Sequence, residues 1–403
     1  MKKSYRIAVA LVIGLLLLIV PLTAACGGGG DTSGAKTLKI GIMVDLTGGM
    51  SVAGIPQLTG ANLWKDWYNG KGGMTINGQK YLVELVSADS KTSPDGATSA
   101  ATDLVEKQGI KFVVGGLPTF EIVAEGAITE QNKVLRAIFY GSGNDKEMNA
   151  QTPYTFRTYQ GILDPVEEVA KFMHEQYPNV KNVVLSAPDD GASQVVFAAQ
   201  KKALSGLGMQ AAGSETFTMD TQDFNPFATK LLSYKPDAIL QGSGNTNMQG
   251  GIFKGVRQMG FKGPFVTSGP VPITDILAVA GKDLADQFYG TSIIEDNSVS
   301  ATAKEVYKLI REKKVDATFT DVATSWDSLW CMCQAIEKAQ SLDPTVVAKT
   351  WEKMDKIETC FGTGKMGGQA TYGVNHVVVR PIPISQLKAG QVSIIKWTTP
   401  TIP

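Results

Sequence analysis

Short apolar runs alternate with helix-like patterns along most of the chain after residue 36. The first run, residues 38–44, ends in a glycine-containing turn and precedes a segment whose apolar residues recur at helical spacing. The order repeats up to residue 139 and begins again after Arg157, where Asp164 and Glu167 have the spacing of a helix capping box. Such alternation predicts parallel sheets covered by helices on both faces. Two series predict two doubly wound α/β lobes.

Three glycine- and hydroxyl-rich loops follow predicted strands, at residues 115–120, 139–144 and 241–247. In doubly wound sheets, ligands bind at the carboxyl ends of the strands, beside helix N-termini. Backbone N–H groups at a helix start, together with the Thr119 hydroxyl, suit a carboxylate, although Thr119 would also serve as an ordinary helix cap. An ordinary turn is the alternative for each loop. Because all three follow strands, we predict that they share one ligand cleft.

An apolar run of a different kind opens the chain. A basic start precedes the apolar residues 7–20, and small residues lead up to Cys26. These are the parts of an export signal. The run is shorter than the ~20 residues of a membrane-spanning helix and is closed by Pro21. We therefore predict an exported protein with a signal peptide over residues 1–25, rather than an uncleaved membrane anchor.

The segment Thr23-Ala24-Ala25-Cys26 resembles a bacterial lipobox, with Thr23 where leucine is usual. The resemblance implies that Cys26 carries lipid and becomes the mature N-terminus. Residues 26–36 are glycine-rich and are predicted to be a flexible tether. Each acyl chain contributes ~0.8 kcal/mol per buried methylene, so more than one chain holds a protein at a membrane surface.

Charge and cysteine content exclude several classes of protein. The chain balances 38 basic against 38 acidic side chains, which gives no reason to expect a nucleic-acid partner. Beyond Cys26 three cysteines remain, and a zinc site would need four ligands at better spacing, so we expect no metal. Cys331, Cys333 and Cys360 are interpreted as small buried apolar residues. A disulfide from Cys360 to Cys331 or Cys333 is the alternative, since the export compartment permits it.

Catalytic motifs are not evident in the sequence. His174 and His376 are its two histidines, and neither lies beside a nucleophile motif. Residues 362–367 match the bare dinucleotide pattern but lack the preceding strand and following helix, so we interpret them as a turn. We therefore expect no catalytic residue, no cofactor and no enzyme, with an exported enzyme as the disfavoured alternative.

Several short motifs follow one another in an order that is typical of a known family. They are Lys39-Ile40-Gly41-Ile42, Leu46-Thr47-Gly48, Thr59-Gly60-Ala61, Asn69-Gly70-Lys71-Gly72-Gly73, Val113-Val114-Gly115-Gly116, Phe156-Arg157-Thr158 and Trp326-Asp327-Ser328-Leu329. Each motif alone is weak, but their order and spacing are specific. The chain resembles the leucine/isoleucine/valine-binding family of ABC-transporter substrate-binding lipoproteins.

The resemblance implies a type I periplasmic-binding fold with two lobes joined by three crossover strands. Lobe 1 would comprise residues 37–156 and 294–362, and lobe 2 residues 157–293 and 363–403. It also implies that the lobes close over a small ligand and that the closed form is read by ABC permease subunits. A ligand-sensing lipoprotein that signals to a membrane receptor is the alternative function.

Binding positions of the family map onto individual residues of this chain. A hydroxyl that grips a ligand carboxylate corresponds to Thr119, and the following loop supplies Tyr140, Gly141 and Ser142. Phe120 and Tyr140 would wall the apolar part of the ligand. An aromatic position of the second lobe is Asn245 in this chain.

One family feature is missing. Amino-acid binders carry an acid for the ligand ammonium where this chain has Ser268-Gly269-Pro270. A buried ammonium without a charge partner is costly. Either Glu121, Asp190 or Asp321 replaces that acid, or the ligand has no α-amine. We therefore expect a small amino acid, an aromatic acid or another short carboxylate as the ligand.

Overall fold

The computed structural model describes residues 34–141 and 143–402. The predicted signal peptide, Cys26, most of the predicted tether and Ser142 lie outside these residues, as does Pro403. Within the described chain, no helix combines the length and the apolar character needed to cross a membrane.

The described residues form strands and helices in an order close to the predicted alternation. The strands are β1 Lys36–Val44, β2 Met74–Ile76, β3 Gln79–Asp89, β4 Phe112–Gly115, β5 Leu135–Ile138, β6 Thr155–Arg157, β7 Asn182–Pro188, β8 Gln210–Phe217, β9 Ala238–Gln241, β10 Phe265–Thr267, β11 Phe288–Gly290, β12 Ile357–Thr359, β13 Gly362–Gly367, β14 Val377–Val379, β15 Ile382–Lys388 and β16 Gln391–Thr398. The helices are α1 Ser51–Gly70, α2 Pro94–Thr102 (continued by a π-helical turn, Asp103–Lys107), α3 Thr119–Gln131, α4 Val166–Gln176, α5 Ser193–Gly206, α6 Asn225–Ser233, α7 Thr246–Gln258, α8 Ile273–Ala280, α9 Ala301–Lys313, α10 Phe319–Ala339, α11 Pro344–Trp351 and α12 Gln369–Tyr372.

Two sheets organise the described strands. The larger sheet has the order β12-β13-β14-β6-β5-β4-β1-β3-β2 and is parallel from β14 to β3. The smaller sheet has the order β16-β15-β11-β10-β9-β7-β8 and is parallel from β11 to β8. Antiparallel strands extend the larger sheet at both edges and the smaller sheet at one. The predicted α/β class with two mainly parallel sheets is confirmed. We call the larger sheet with its helices lobe 1, and the smaller sheet with its helices lobe 2.

Each sheet is buried on both faces because its strands alternate side chains between two helical layers. In β1, Ile40 and Ile42 pack with Trp64 of α1 and Trp326 of α10 on one face. Met43 packs on the other face, against α2 and the segment after it. Lobe 2 is built the same way, with α6, α7 and α8 on one face and α4 and α5 on the other.

The chain passes between the lobes three times, after β6, after β11 and between β14 and β15. The sequence analysis ended lobe 1 at residue 362 and assigned all of 363–403 to lobe 2. That assignment is wrong for residues 363–379, because β13 and β14 pair with the sheet of lobe 1. The third passage consists of Arg380 and Pro381.

The turn predicted at residues 362–367 is wrong for a related reason, since this segment is strand β13. Its glycines hide the alternation that identifies a strand. They also allow close strand contact, because a Cβ built on Gly367 would lie 2.8 Å from the Val379 side chain of β14. In the sequence these glycines indicate a turn, whereas in the sheet their small size allows the neighbouring strand to pack closely.

Asp164 does not cap the helix that the sequence predicted after it. Helix α4 begins at Val166 without a side-chain cap, and the Asp164 carboxylate turns towards the first passage instead. Its Oδ1 accepts a hydrogen bond from Arg157 Nη2 at 2.7 Å, and its Oδ2 accepts one from the Gly161 N–H at 2.7 Å. A buried guanidinium is a stronger partner than a helix N–H, so the ion pair decides the orientation of Asp164.

Cys331, Cys333 and Cys360 are buried free thiols. Burial raises the pKa of all three thiols well above the usual value, which keeps them protonated. They pack in the core of lobe 1 with α10 and β12, as small apolar side chains. The interpretation of these three cysteines as buried apolar residues is confirmed, and none of them forms the alternative disulfide.

Replacing Gly60 by alanine should destabilise lobe 1 by about 1–3 kcal/mol, because α1 and α10 pack too closely there for a methyl group. A Cβ built on Gly60 would lie 2.6 Å from the Val322 Cα. Gly70, in the same helix, has no atom within 4 Å of such a Cβ, so Gly70→Ala is a matched control. We expect the control to be neutral or more stable by up to about 1 kcal/mol in urea unfolding. Equal stability of the two variants would contradict close packing at Gly60.

Candidate functional site

A cavity of about 370 Å³ lies between the two lobes. Its size is in the range of small-molecule sites. Lobe 1 contributes the starts of α1 and α10 and the residues before α3. Lobe 2 contributes the loops after β7, β9 and β10 and the start of α8. We call this space the ligand cavity.

Helix N-termini from both lobes converge on the ligand cavity. The lining residues that precede or open these helices are Met50, Val52 and Ala53 (α1), Leu117 and Pro118 (α3), Asn245, Thr246 and Asn247 (α7), Pro272 and Asp275 (α8), and Thr320 and Asp321 (α10). Within the described residues no side chain caps α1 or α8, so both starts present backbone N–H groups. Helix N-termini carry partial positive charge and favour an anionic group.

The charged side chains in the described lining are all acidic. They are Asp190 and Asp275 of lobe 2 and Asp321 of lobe 1, with no lysine, arginine or histidine beside them. Burial raises the pKa of Asp190 to about 6 and that of Asp321 to about 6, and it also raises the pKa of the half-buried Asp275. Carboxylates held in such surroundings gain most from a positively charged partner.

Of these three acids, Asp190 is best placed to meet a ligand cation. It follows β7, and its Oδ1 accepts a hydrogen bond from the Ala192 N–H at 3.0 Å. Asp321 is committed to its own helix, because its Oδ2 accepts the Thr318 hydroxyl at 2.6 Å in a capping box. Thr274 donates to Asp275 Oδ1 at 3.2 Å near the more exposed start of α8.

Glu121, the third candidate counter-ion from the sequence, does not line the cavity. It is buried behind the cavity, and its carboxyl group is hydrogen-bonded to Asp45. Burial, followed by the charges of Asp45 and Glu125, raises the pKa of Glu121 to about 11. Glu121 therefore holds its proton at neutral pH and offers no charge to a ligand ammonium.

Tyr140, Asp190, Asn245 and the candidate counter-ion Asp321 are the sequence-predicted site residues that line the cavity. Burial, and next the Asp190 carboxylate, raise the pKa of Tyr140 well above its usual value. A tyrosine of lobe 1 and an acid of lobe 2 therefore lie near one another across the cleft. Asn245 accepts the Met248 N–H at 3.0 Å and so also caps α7.

Gly269 lies against the backbone of the neighbouring loop, outside the cavity lining. A Cβ built there would lie 2.8 Å from the Gly242 carbonyl oxygen and 3.1 Å from the Tyr140 hydroxyl. A side chain at this position would collide with the backbone of the neighbouring loop.

Thr119, Phe120 and Gly141 lie behind the lining. Thr119 donates its hydroxyl hydrogen to Glu147 Oε1 at 2.5 Å, and Phe120 is half-buried in the first turn of α3. The Gly141 carbonyl accepts the Ile162 N–H at 3.0 Å, which ties this loop to the first passage between lobes. Ser142, the remaining position of this loop, lies outside the described residues.

Apart from the candidate counter-ion Asp321, sequence reasoning missed the lining contributed by α1, α8 and α10. Met50 of lobe 1 and Val271 of lobe 2 are apolar, and Gln57 of lobe 1 lies inside helix α1, away from any strand end. The strand-end rule could have found Met50, since the turn after β1 leads directly into α1. The start of α10 has a capping-box sequence but no strand before it, so no local signal separates it from an ordinary helix start.

The histidines lie away from the cavity lining. His376 is buried between the Thr155 carbonyl at 2.8 Å and Glu352 Oε1 at 2.7 Å. Among the described residues, no group of histidine, cysteine and acidic side chains has the geometry of a metal site. The arrangement in the cavity is suited to holding a small polar molecule.

Comparison with known proteins identifies relatives over most of the chain. The sequence profile of a family described as periplasmic binding protein matches residues 37–391. A Leu/Ile/Val-binding protein homologue from Brucella melitensis is 26% identical over 330 residues, which cover 81% of this chain and 86% of that protein.

Solved structures give the same fold. A branched-chain amino acid transporter substrate-binding protein from Streptococcus pneumoniae, in complex with isoleucine, has a TM-score of 0.76 at 23% identity and covers 91% of this chain and 100% of its own. An ABC-transporter solute-binding protein from Rhodopseudomonas palustris, in complex with 3,4-dihydroxybenzoic acid, has a TM-score of 0.76 at 19% identity. The match covers 91% of this chain and 99% of that protein. These two proteins bind different chemical classes in the same fold.

Proposed function

This chain belongs to the periplasmic binding protein family, and from that premise we propose that it is the lipid-anchored solute-binding component of an ABC importer. The export signal and the lipobox cysteine, Cys26, support anchoring outside the cytoplasmic membrane. The names of the Brucella melitensis relative and the Streptococcus pneumoniae structure support transport of amino acids.

The observation that carries the proposal is the pairing of charges around the ligand cavity. Helix starts from both lobes offer partial positive charge, while Asp190 offers a carboxylate. A zwitterionic α-amino acid matches both groups, with its carboxylate towards a helix start and its ammonium towards Asp190. Leu117, Val271 and Val279 supply apolar surface for its side chain.

An amine-free acid such as a benzoate fits this cavity less well. Its carboxylate would enter a space that already contains Asp190, Asp275 and Asp321 without a basic side chain in the described lining. Like charges at close range disfavour binding. We therefore propose a small, apolar amino acid as the ligand.

Closure of the lobes provides the transport signal in this proposal. A ligand that contacts Asp190 of lobe 2 and the α1 start of lobe 1 gains both sets of interactions only when the lobes are together. It therefore shifts the population towards the closed form by its differential affinity for that form. The permease subunits would bind the closed arrangement of the two lobe surfaces.

A thermal-unfolding panel on protein beginning after Cys26 tests the ligand class. We expect leucine, isoleucine or valine at 100 times its dissociation constant to add about 2.7 kcal/mol of stability, a clear rise in Tm. Benzoate, 4-hydroxybenzoate and 2-oxo acids are the matched amine-free probes and should give smaller shifts. Protein refolded from denaturant serves as the control for a ligand that co-purifies.

A panel in which benzoates raise Tm and amino acids do not would contradict the amino-acid assignment and leave a carboxylate importer. Absence of any shift in refolded protein, across amino acids and amine-free acids alike, would contradict the solute-binding proposal for these classes.

A further inference from the structure

Glu147 is a buried carboxylate that lies behind the ligand cavity and touches two of the loops that wall it. Its side chain is 2% exposed and is not part of the lining. Oε1 accepts the Thr119 hydroxyl at 2.5 Å, and Oε2 accepts the Gly143 N–H at 2.8 Å. Thr119 opens α3, and Gly143 belongs to the loop after β5, so one carboxylate joins two separate elements of lobe 1.

Residues next to Thr119 and in the same loop as Gly143 line the ligand cavity. Leu117 and Pro118 precede Thr119 and line the cavity, and Tyr140 of the second loop also lines it. Gly141, between Tyr140 and Gly143, leaves space for the carboxylate, because a Cβ built on it would lie 2.6 Å from Glu147 Oε2. The position of Tyr140 therefore depends on backbone that packs directly against Glu147.

The Thr119 hydroxyl has a single hydrogen, which it donates to Glu147 in this arrangement. It therefore has no second hydrogen with which to grip a ligand carboxylate. The sequence pattern indicated the right element, the start of α3, but the structure gives Thr119 a contact with protein rather than a place in the cavity wall.

We propose that Glu147 is a positioning residue of the ligand site, which holds the start of α3 and the backbone at Gly141 and Gly143 in the arrangement that receives ligand. The claim about affinity rests on the proposed function, whereas the claim about the two loops does not. Glu147 itself does not touch ligand.

Glu130 provides a matched control at the other end of α3. Its Oε1 accepts the Thr155 hydroxyl at 2.7 Å, and its carboxylate also accepts the Tyr154 N–H at 3.1 Å. It makes the same two kinds of hydrogen bond as Glu147, but it lies away from the cavity lining. Glu147→Gln and Glu130→Gln therefore remove the same charge from the same helix neighbourhood.

Hydrogen exchange of ligand-free protein is the first arm of the test. In Glu147→Gln, the glutamine has one acceptor oxygen, so only one of the two hydrogen bonds to Thr119 and Gly143 can form. Its NH₂ group would face the other donor without forming a hydrogen bond. We expect faster exchange in peptides covering residues 116–121 and 139–148, and unchanged exchange there in Glu130→Gln. Unchanged exchange in Glu147→Gln would overturn the proposal, and so would faster exchange spread over the whole of lobe 1 in both variants.

Titration with L-leucine is the second arm. We expect Glu147→Gln to weaken affinity for leucine by about tenfold or more, as loss of hydrogen bonds to a charged group does, with little change in Glu130→Gln.

The pH profile of leucine binding adds a readout that a purely structural role would not change. Asp190 faces Glu147, Asp189 and Tyr140, and the negative charge of Glu147 contributes, after burial, to the raised pKa of Asp190. The pH below which leucine binding weakens should therefore move lower in Glu147→Gln and stay in place in Glu130→Gln.

The two arms separate this inference from the proposed function. Wild-type protein that binds neither leucine nor any other member of the amino-acid panel would contradict the proposed ligand, while the exchange arm would still decide the role of Glu147. Leucine binding that is unchanged in affinity and pH profile in Glu147→Gln would overturn the inference and leave the proposed function standing.

Discussion

Replacing Asp164 by asparagine should lower the free energy of unfolding by about 3–5 kcal/mol, the cost typical of leaving one partner of a buried ion pair alone. The side chains of Arg157 and Asp164 are 1% and 4% exposed. Two other guanidinium nitrogens of Arg157, Nε and Nη1, have no hydrogen-bond partner among the described residues. Asp164 is thus the principal countercharge of a buried cation whose other contacts are the face of the Tyr372 ring and the charge of Glu147. Urea unfolding measures the loss directly.

An exposed pair of the same chemistry is the control for this prediction. Arg311 and Glu295 form an ion pair whose side chains are 59% and 44% exposed. Glu295→Gln should cost less than about 1 kcal/mol because water solvates both charges. The double replacement Arg157→Met with Asp164→Leu should be more stable than Asp164→Asn, since it leaves no buried charge unpaired. A similar small cost for Asp164→Asn and Glu295→Gln would show that Arg157 finds compensation elsewhere.

The Asp164 result also illustrates which parts of the fold the sequence could predict. Local patterns located helices whose apolar period and caps agree. In helix α9, Ala301–Lys313, such local signals agree with the structure, since Ser300 caps the helix by accepting the Ala303 N–H. Asp164 and Glu167 carry an equally good local signal, but Arg157 competes for the carboxylate. A contact with a side chain from the preceding strand cannot be read from capping-box spacing.

Strands at or next to the edges of the sheets carry weaker signals in the sequence. Strand β8, residues 210–217, is half-exposed along most of its length and has no regular apolar alternation. Strand β15 contains Pro383 and follows Pro381, which are signals against a strand, yet it pairs with β11 and β16. Their strand character comes from pairing with neighbours rather than from their own side chains. The error in the third passage between lobes has the same origin.

The candidate site was predicted where it follows the ends of parallel strands. Tyr140, Asp190 and Asn245 come after β5, β7 and β9 and line the ligand cavity. Glu147 could not be predicted from sequence, because its role depends on a loop that folds back behind Thr119. The absence of an acid at residues 268–270 was visible in the sequence, whereas the close approach of Gly269 to the Gly242 backbone was not.

Asp190→Asn should weaken binding of leucine, isoleucine or valine by about 10- to 100-fold, because a hydrogen bond to a charged group contributes about 1.5–3 kcal/mol. Asparagine keeps the size of the side chain and an oxygen for the Ala192 N–H, and loses the charge that would meet the ligand ammonium. Asp275→Asn is the control, since it removes a half-buried acid from the same cavity. We expect the control to change affinity several-fold at most in isothermal titration.

The pH dependence of binding is a second test of Asp190 as the counter-ion, because the direction of the change distinguishes a ligand with an amine from one without. Burial raises the pKa of Asp190 to about 6 in the ligand-free protein, so the carboxylate is charged above that pH and protonated below it. An ammonium pairs only with the charged form, so affinity for an amino acid should be constant above pH 7 and fall by about tenfold per pH unit below 6. In Asp190→Asn this fall should disappear. A ligand without an amine would show the opposite slope, because protonation of Asp190 removes a charge that repels its carboxylate. Tighter binding of leucine at pH 5 than at pH 7 would therefore rule out Asp190 as its counter-ion.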